Sequence, residues 1–413
     1  MKSSSLLSLA LGVSWIFSPE ALVIAGNVSG QMGWLIFPSL IGVVIVYMVC
    51  SRLLRSESLP SSPGWDFLVL QRGSGSIPAT TLSLTACLPL TILAGTALLV
   101  TAGYTFNEVF LYWFPNFGFS FLLLGLLTTL QLFRKEYALW LQLCFSTLAM
   151  GGLLLLALYG IFSPDKQSTE LLQQGSGFSL SSVSLLLLIF VGHTLSVDQR
   201  RSSFPLPLVM GFLLSGLWIL ASLGHVSPER LAASTIPYMT TAREILDDPG
   251  RQLMGIVIIS GTCGALNGLM ILTRNILTTL AREKTVPLFL STQEKRWVLP
   301  FLLAAAIGTC MATGLAGNEL LESLLRSALI LWLLYYSSLC LSAVRWIQKV
   351  SASMPYPALF STLLLMAGGI TLIIDDPRRL EMGIFIFSVF FATSVLSTCW
   401  HFINKRQNPT GSP

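Results

Sequence analysis

The heptapeptide Ser14-Trp15-Ile16-Phe17-Ser18-Pro19-Glu20 sits in the middle of an apolar stretch that runs from Leu6 to Asn27. About 20 predominantly apolar residues are what an α-helix needs to cross the ~30 Å hydrocarbon core of a bilayer. Within this one, Pro19 supplies no backbone N–H and leaves a carbonyl of the preceding turn without its partner. Two serines and a carboxylate flank it, where lipid-facing helix would be apolar. The stretch reads as a membrane-spanning helix broken into two halves.

The remainder of the chain continues the pattern. Of 413 residues, 53% are hydrophobic and 10% charged, and the mean hydropathy is +0.74. A soluble domain carries about 25% charged residues, so a soluble fold is excluded. Apolar blocks of spanning length predict twelve transmembrane helices. The first six lie near Leu6–Asn27, Gly33–Leu54, Ala79–Tyr104, Gly118–Phe133, Ala138–Phe162 and Leu180–Val197. The second six lie near Pro205–Leu223, Leu253–Ala281, Trp297–Leu315, Leu321–Ile347, Pro357–Ile374 and Met382–Ile403. The expected class is an all-α integral membrane protein with a single membrane domain. The seven cysteines fall in or beside apolar blocks at spacings unlike a zinc or redox motif, and read as small packing residues.

The basic residues test this topology. With the N-terminus inside, sixteen of the 24 lysines and arginines fall in cytoplasmic segments or at the cytoplasmic ends of spans. Six fall outside (Lys166, Arg230, Arg243, Arg251, Arg378 and Arg379), and Arg274 and Arg326 lie within spans. That asymmetry is the positive-inside rule. It predicts a multi-pass protein of the cell (inner) membrane with both termini cytoplasmic, and it argues against reading the first span as a cleaved signal peptide. Because topology explains the basic residues, no nucleic-acid partner is expected.

The sixth span carries a second irregularity, Phe190-Val191-Gly192-His193-Thr194-Leu195-Ser196. Taken alone, Pro19 merely kinks a helix and the sixth span is merely short. As a pair they lie five spans apart, at equivalent places in two five-helix halves of opposite orientation. Broken helices so placed point to the midplane site of a secondary transporter. The expected organisation is a 5+5 inverted repeat with broken helices 1 and 6: residues 1–162, residues 179–349, and two C-terminal helices over 356–403.

Several local matches give the chain a family likeness along its whole length. Ile16-Phe17 followed by Pro19, the turn Leu59-Pro60-Ser61-Ser62-Pro63-Gly64, and Phe190-Val191-Gly192 occur in order. So do Phe204-Pro205 with Gly211, then Ala265-Leu266-Asn267, Thr273-Arg274 and Ala281-Arg282. Together they resemble the amino acid–polyamine–organocation superfamily of permeases. Length and Ala25-Gly26-Asn27 make the chain most similar to compact bacterial exporters of neutral and branched-chain amino acids. The chain departs from the family pattern at Ser14-Trp15, where a flexible Gly-Ser-Gly is usual, at His193-Thr194, where an acid is frequent, and at Glu20.

The resemblance implies a substrate site lined by Ser14, Trp15, Ile16, Phe17 and Ser18 on one side and Gly192, His193 and Thr194 on the other. The substrate would be an amino acid or related amine, with no cofactor and no metal. Glu20 and His193 are the proton-coupling candidates should H+ be the coupling ion; the fifth span carries no charge to stand in for sodium, and the sequence alone decides neither proton nor sodium coupling. Glu20 reads equally as a hydrated vestibule residue or a helix cap, and His193 as a core histidine. Arg274 is an inner-gate candidate or a residue snorkelling to headgroups. Glu322 and Arg326 are spaced for an i,i+4 ion pair. Tyr335 and Tyr336 fit either the permeation path or the bundle core. An enzyme is not expected, since His193, His225 and His401 are scattered and no catalytic pairing is evident. A non-transporting sensor or assembly subunit that keeps the permease fold is the alternative.

Overall fold

A chain in hydrocarbon must satisfy its backbone polar groups internally, which favours helices whose hydrogen bonds all close within the segment. The computed structural model describes residues 3–60, 64–132, 135–163, 177–194, 205–287, 297–315, 319–350 and 355–407. Among these the chain is all-helical, with no strand. In order the helices are α1 (Ser3–Ser14), α2 (Pro19–Met32), α3 (Ile36–Leu54), α4 (Trp65–Ser74) and α5 (Ser76–Val109). Next come α6 (Asn116–Leu132), α7 (Lys135–Phe162), α8 (Leu180–Thr194), α9 (Leu206–His225) and α10 (Pro228–Ala233). The last are α11 (Pro237–Arg282), α12 (Val298–Ala312), α13 (Glu319–Val350), α14 (Tyr356–Ile374) and α15 (Arg379–Gln407).

Eight helical stretches among the described residues are long and apolar enough to cross a membrane. They are Pro19–Leu54, Ser76–Val109, Tyr137–Phe162, Leu206–His225, Pro237–Arg282, Leu320–Gln348, Tyr356–Ile374 and Arg379–Asn404. The helices α6, α8 and α12 are apolar but shorter. The described parts of the expected spans are largely helical, but they do not resolve into twelve separate crossings: Pro19–Leu54 runs as one stretch through the second half of the first expected span and the whole of the second. The eighth starts far upstream of Leu253, because α11 continues through a kink at Leu246 and Asp247, where Asp247 takes φ 48° just before Pro249. α5, α11 and α13 form the centre: 78%, 89% and 83% of their apolar stretches are buried, against 17% for the rim helix α15.

The first break is observed where Pro19 places it. α1 ends at Ser14, Trp15–Ser18 are non-helical, and Ser18 caps α2 by accepting the Ala21 N–H at 3.3 Å. The expected irregularity at 190–194 is corrected: these residues are regular helix to the end of α8, while Leu195 and Ser196 lie outside the described residues. Gly192 serves close approach there, not unwinding. A Cβ on it would sit 2.6 Å from that of Trp15 and 3.1 Å from the Gly12 carbonyl.

Other glycines form the same cradle. A Cβ at Gly211 on α9 would strike Ile16, and one at Gly261 on α11 would lie 2.5 Å from the Phe17 carbonyl oxygen. Helix association in lipid depends on van der Waals contact between close backbones, because apolar burial gives no drive there. The broken segment is therefore held by small residues on three neighbouring helices.

Two further elements cover the bundle ends. α10 lies across α2, with Gly30 against the backbone of Pro228 and Ala232, and the Asn27 amide, suitably oriented, donating to the carbonyls of Leu231 and Ser234 at 3.0 Å. α4 lies along α13: Tyr335 donates to Asp66 Oδ2 at 3.0 Å, and the Arg72 guanidinium stacks 4.4 Å above the Trp346 ring. Burial pushes the Asp66 carboxyl above the usual carboxylate range, opposed by the hydrogen bonds from Tyr335 and the backbone.

Gly261→Ala is expected to destabilise by about 1–3 kcal/mol through overpacking on immobile backbone. Gly216→Ala, which meets nothing within 4 Å, should be close to neutral. Thermal unfolding of both variants in the same detergent checks the contrast; equal midpoints would remove the cradle argument.

Candidate functional site

The break brings most of the sequence-derived site residues together. Trp15, Ile16 and Phe17 are each 1% exposed, and Ser14, Ser18, Gly192, His193 and Thr194 are buried. Trp15 Nε1 donates to the Leu188 carbonyl of α8 at 3.0 Å, tying the break to the helix that carries Gly192. On the same helix, Thr194 Oγ1 accepts from Trp332 Nε1 of α13 at 2.6 Å and donates to the Val191 carbonyl at 2.7 Å. The side chains pack against one another and against glycines, so the site is closed in this conformation. Its positive feature is the N-terminal end of α2, whose dipole faces the break.

The two proton-coupling candidates occupy different ends of the bundle. Glu20, in the first turn of α2, is half-buried and within electrostatic range of Glu322, near the start of α13, and of Tyr238, at the start of α11. Ser18, not Glu20, makes the cap. His193 is buried at the far end of α8, within electrostatic range of Arg55 at the close of α3. The two do not form one relay. Arg274 is half-buried on α11 beside Thr273, whose hydroxyl meets that of Thr91 on α5 at 2.6 Å. Arg326 pairs with Glu322 at 2.8 Å, as the spacing predicts, and also with Asp376 at the end of α14. Tyr335 and Tyr336 are buried on α13 among other helices.

The principal polar feature was not singled out from the sequence. Gln131 on α6 donates to Asn267 Oδ1 on α11 at 2.5 Å. Asn267 Nδ2 donates to Gln142 Oε1 on α7 at 2.7 Å and to the Ala138 carbonyl at 3.1 Å. Gln142 Nε2 donates to Ser14 Oγ at 2.5 Å and to the Gly264 carbonyl at 3.1 Å. The hydroxyls of Ser14 and Ser146 lie 3.0 Å apart, and both reach the Ala10 carbonyl. Four helices are thus linked, through uncharged groups, to the last residue before the break. The signal in the sequence is the presence of Gln131, Gln142 and Asn267 inside apolar spans, where an amide must find partners.

This arrangement can do two things chemically. It fixes the end of α1 through a buried polar chain that holds or releases as a unit. It also presents the amino end of α2, with aromatic and hydroxyl neighbours, to whatever the break would admit. Comparison of the chain with protein-family models gave no match, and neither did comparison with curated proteins.

Because Gln142 and Asn267 share one chain, their substitutions are expected to be non-additive. A double-mutant cycle on Gln142→Ala and Asn267→Ala should give a coupling of about 0.6–1.7 kcal/mol, the range for polar pairs in membrane helices. Unfolding titrations in mixed micelles provide the four free energies, and strict additivity would contradict the linkage.

Proposed function

We propose that this chain is a secondary active transporter of amino acids, neutral ones first, or of related amines, working by alternating access across the cell membrane. In this reading it has twelve spans, a 5+5 inverted repeat followed by two helices, and cytoplasmic termini. It belongs with the amino acid–polyamine–organocation permeases that its motifs resemble. The observation that carries the proposal is the break at Trp15–Ser18, buried at the centre and enclosed by α8, α9 and α11. Irregular backbone at membrane depth is tolerated where protein encloses it or a water-filled cavity meets it, and in transporters such breaks form substrate sites.

In the proposed cycle the substrate carboxylate meets the amino end of α2, while Trp15, Phe17 and the α8 residues Gly192, His193 and Thr194 contact the rest. The closed packing corresponds to a state between openings. Access from one side requires α10 and the first turns of α11 to leave α2; access from the other requires α4 and α13 to part. Glu20 faces the first of these ends and is the better placed to exchange a proton with that side; Glu322 and Tyr238 are its charged and titratable neighbours.

One observation favours a second reading. Trp15, Ile16 and Phe17 fill the break so fully that almost none of their surface is exposed. A sensor or assembly subunit that keeps the permease fold would need no more space than this.

Flux in right-side-out and everted vesicles, with labelled neutral amino acids and amines and an imposed pH gradient, separates the readings. Saturable, gradient-dependent flux of one solute class is expected, with its pH dependence flattened in Glu20→Gln and less altered in His193→Asn. No flux of any solute by inserted, folded protein would favour the second reading.

A further inference from the structure

The inner ends of α3, α8 and α13 enclose a group of polar side chains that the proposed substrate site does not use. Tyr47, Ser51 and Arg55 follow one another at four-residue spacing along one face of α3 and its C-terminal cap. That face looks toward α8 and α13. The Tyr47 ring lies 6.0 Å from the Tyr336 ring and 6.5 Å from the Phe190 ring, and the Tyr47 hydroxyl donates to the Leu187 carbonyl at 2.9 Å. One turn further along α3, Ser51 is 1% exposed, and Tyr336 on α13 is 2% exposed.

These groups are unusual in what they lack. Among the described residues, Ser51 Oγ and Arg55 Nε are buried without a hydrogen-bond partner, the buried Tyr336 hydroxyl has only the weakly accepting Cys340 thiol at hand, and Arg55 forms no ion pair. Arg55 lies within electrostatic range of both Tyr336 and His193, and Ser51 precedes it by one turn on the same face of α3. Buried polar groups in native proteins are normally satisfied, and a partly buried cation normally has a counter-charge. Here a fixed positive charge stands near the Tyr336 hydroxyl and one turn from Ser51, and among the described residues no carboxylate pairs with it. Arg55 is half-buried at the end of α3, and its exposed side is the way in.

We infer that Ser51, Arg55 and Tyr336 form a binding site for a singly charged oxyanion, a carboxylate or a phosphodiester, at the inner mouth of the α3–α8–α13 junction. A guanidinium matches such a group in charge and in its fork of donors. The two hydroxyls then take up the remaining lone pairs. A single positive charge selects a monoanion over a dianion. The ligand comes either from a soluble carboxylate or from an anionic lipid headgroup, and both satisfy the same chemistry. The site does not depend on transport: a chain that moves no solute but binds the oxyanion would leave this inference standing.

The test uses the full chain in phosphatidylcholine nanodiscs, with acetate as the soluble probe and phosphatidylglycerol as the lipid probe. Thermal unfolding is followed in sodium acetate and in sodium chloride at equal ionic strength, and native mass spectrometry counts retained phosphatidylglycerol. In the wild type, acetate is expected to raise the midpoint, or phosphatidylglycerol to be retained over phosphatidylcholine. Which probe succeeds identifies the source. Arg55→Gln should abolish the response and Arg55→Lys should keep part of it. Tyr336→Phe, which removes one oxygen and preserves packing, should weaken apparent affinity several-fold and guards against a misfolded Arg55 variant. No response to either probe in the wild type, or an equal response in folded Arg55→Gln and Tyr336→Phe, would overturn the assignment.

Discussion

The hydrogen-bonded chain from Gln131 through Asn267 and Gln142 to Ser14 is the constraint on which the rest of the arrangement rests. An amide in hydrocarbon has no water to fall back on, so each must find its partners within the protein. These three find them in one another, and the last donates to the serine at which α1 stops. The position of the break is therefore set by polar geometry on α6, α7 and α11 as much as by Pro19. An uncharged chain avoids the desolvation cost of ions, and still fixes a register that apolar contact alone leaves free to slide.

Packing completes what the amides begin. Gly192, Gly211 and Gly261 let three helices approach the broken segment at backbone distance, so Trp15, Ile16 and Phe17 are gripped from several sides. At the two ends the contacts are of another kind. α10 holds α2 through Gly30 and the Asn27 amide, while α4 holds α13 through Asp66, Tyr335, Arg72 and Trp346. Local contacts at each end and a tightly held centre are what a bundle needs if one end is to loosen without the other.

The residues differ in how far they could be read from the sequence. Helix positions were legible because apolar length and charge asymmetry are direct consequences of the bilayer. The break at Pro19 was legible for the same reason: a missing N–H has one structural meaning inside a helix. Gly192 was misread because composition does not distinguish a glycine that unwinds a helix from one that admits a neighbour; only the position of Trp15 decides. Asn267 was legible only as part of a motif, and nothing local marks its pairing with Gln142, because the partners of both are over a hundred residues away along the chain. Glu322 and Arg326 were legible as neighbours on one helix, whereas Asp376, the pair's third member, joins from another helix.

The central claim is that the Trp15–Ser18 break is the element that responds to solute. Hydrogen–deuterium exchange over residues 10–20 in lipid nanodiscs, with and without each member of a neutral amino acid panel, tests it most directly. The account predicts that one solute class changes exchange in this segment and in α10, while exchange in the rim helix α15 stays constant. Unchanged exchange across the break for every solute, in protein whose α15 amides report an intact fold, would contradict it.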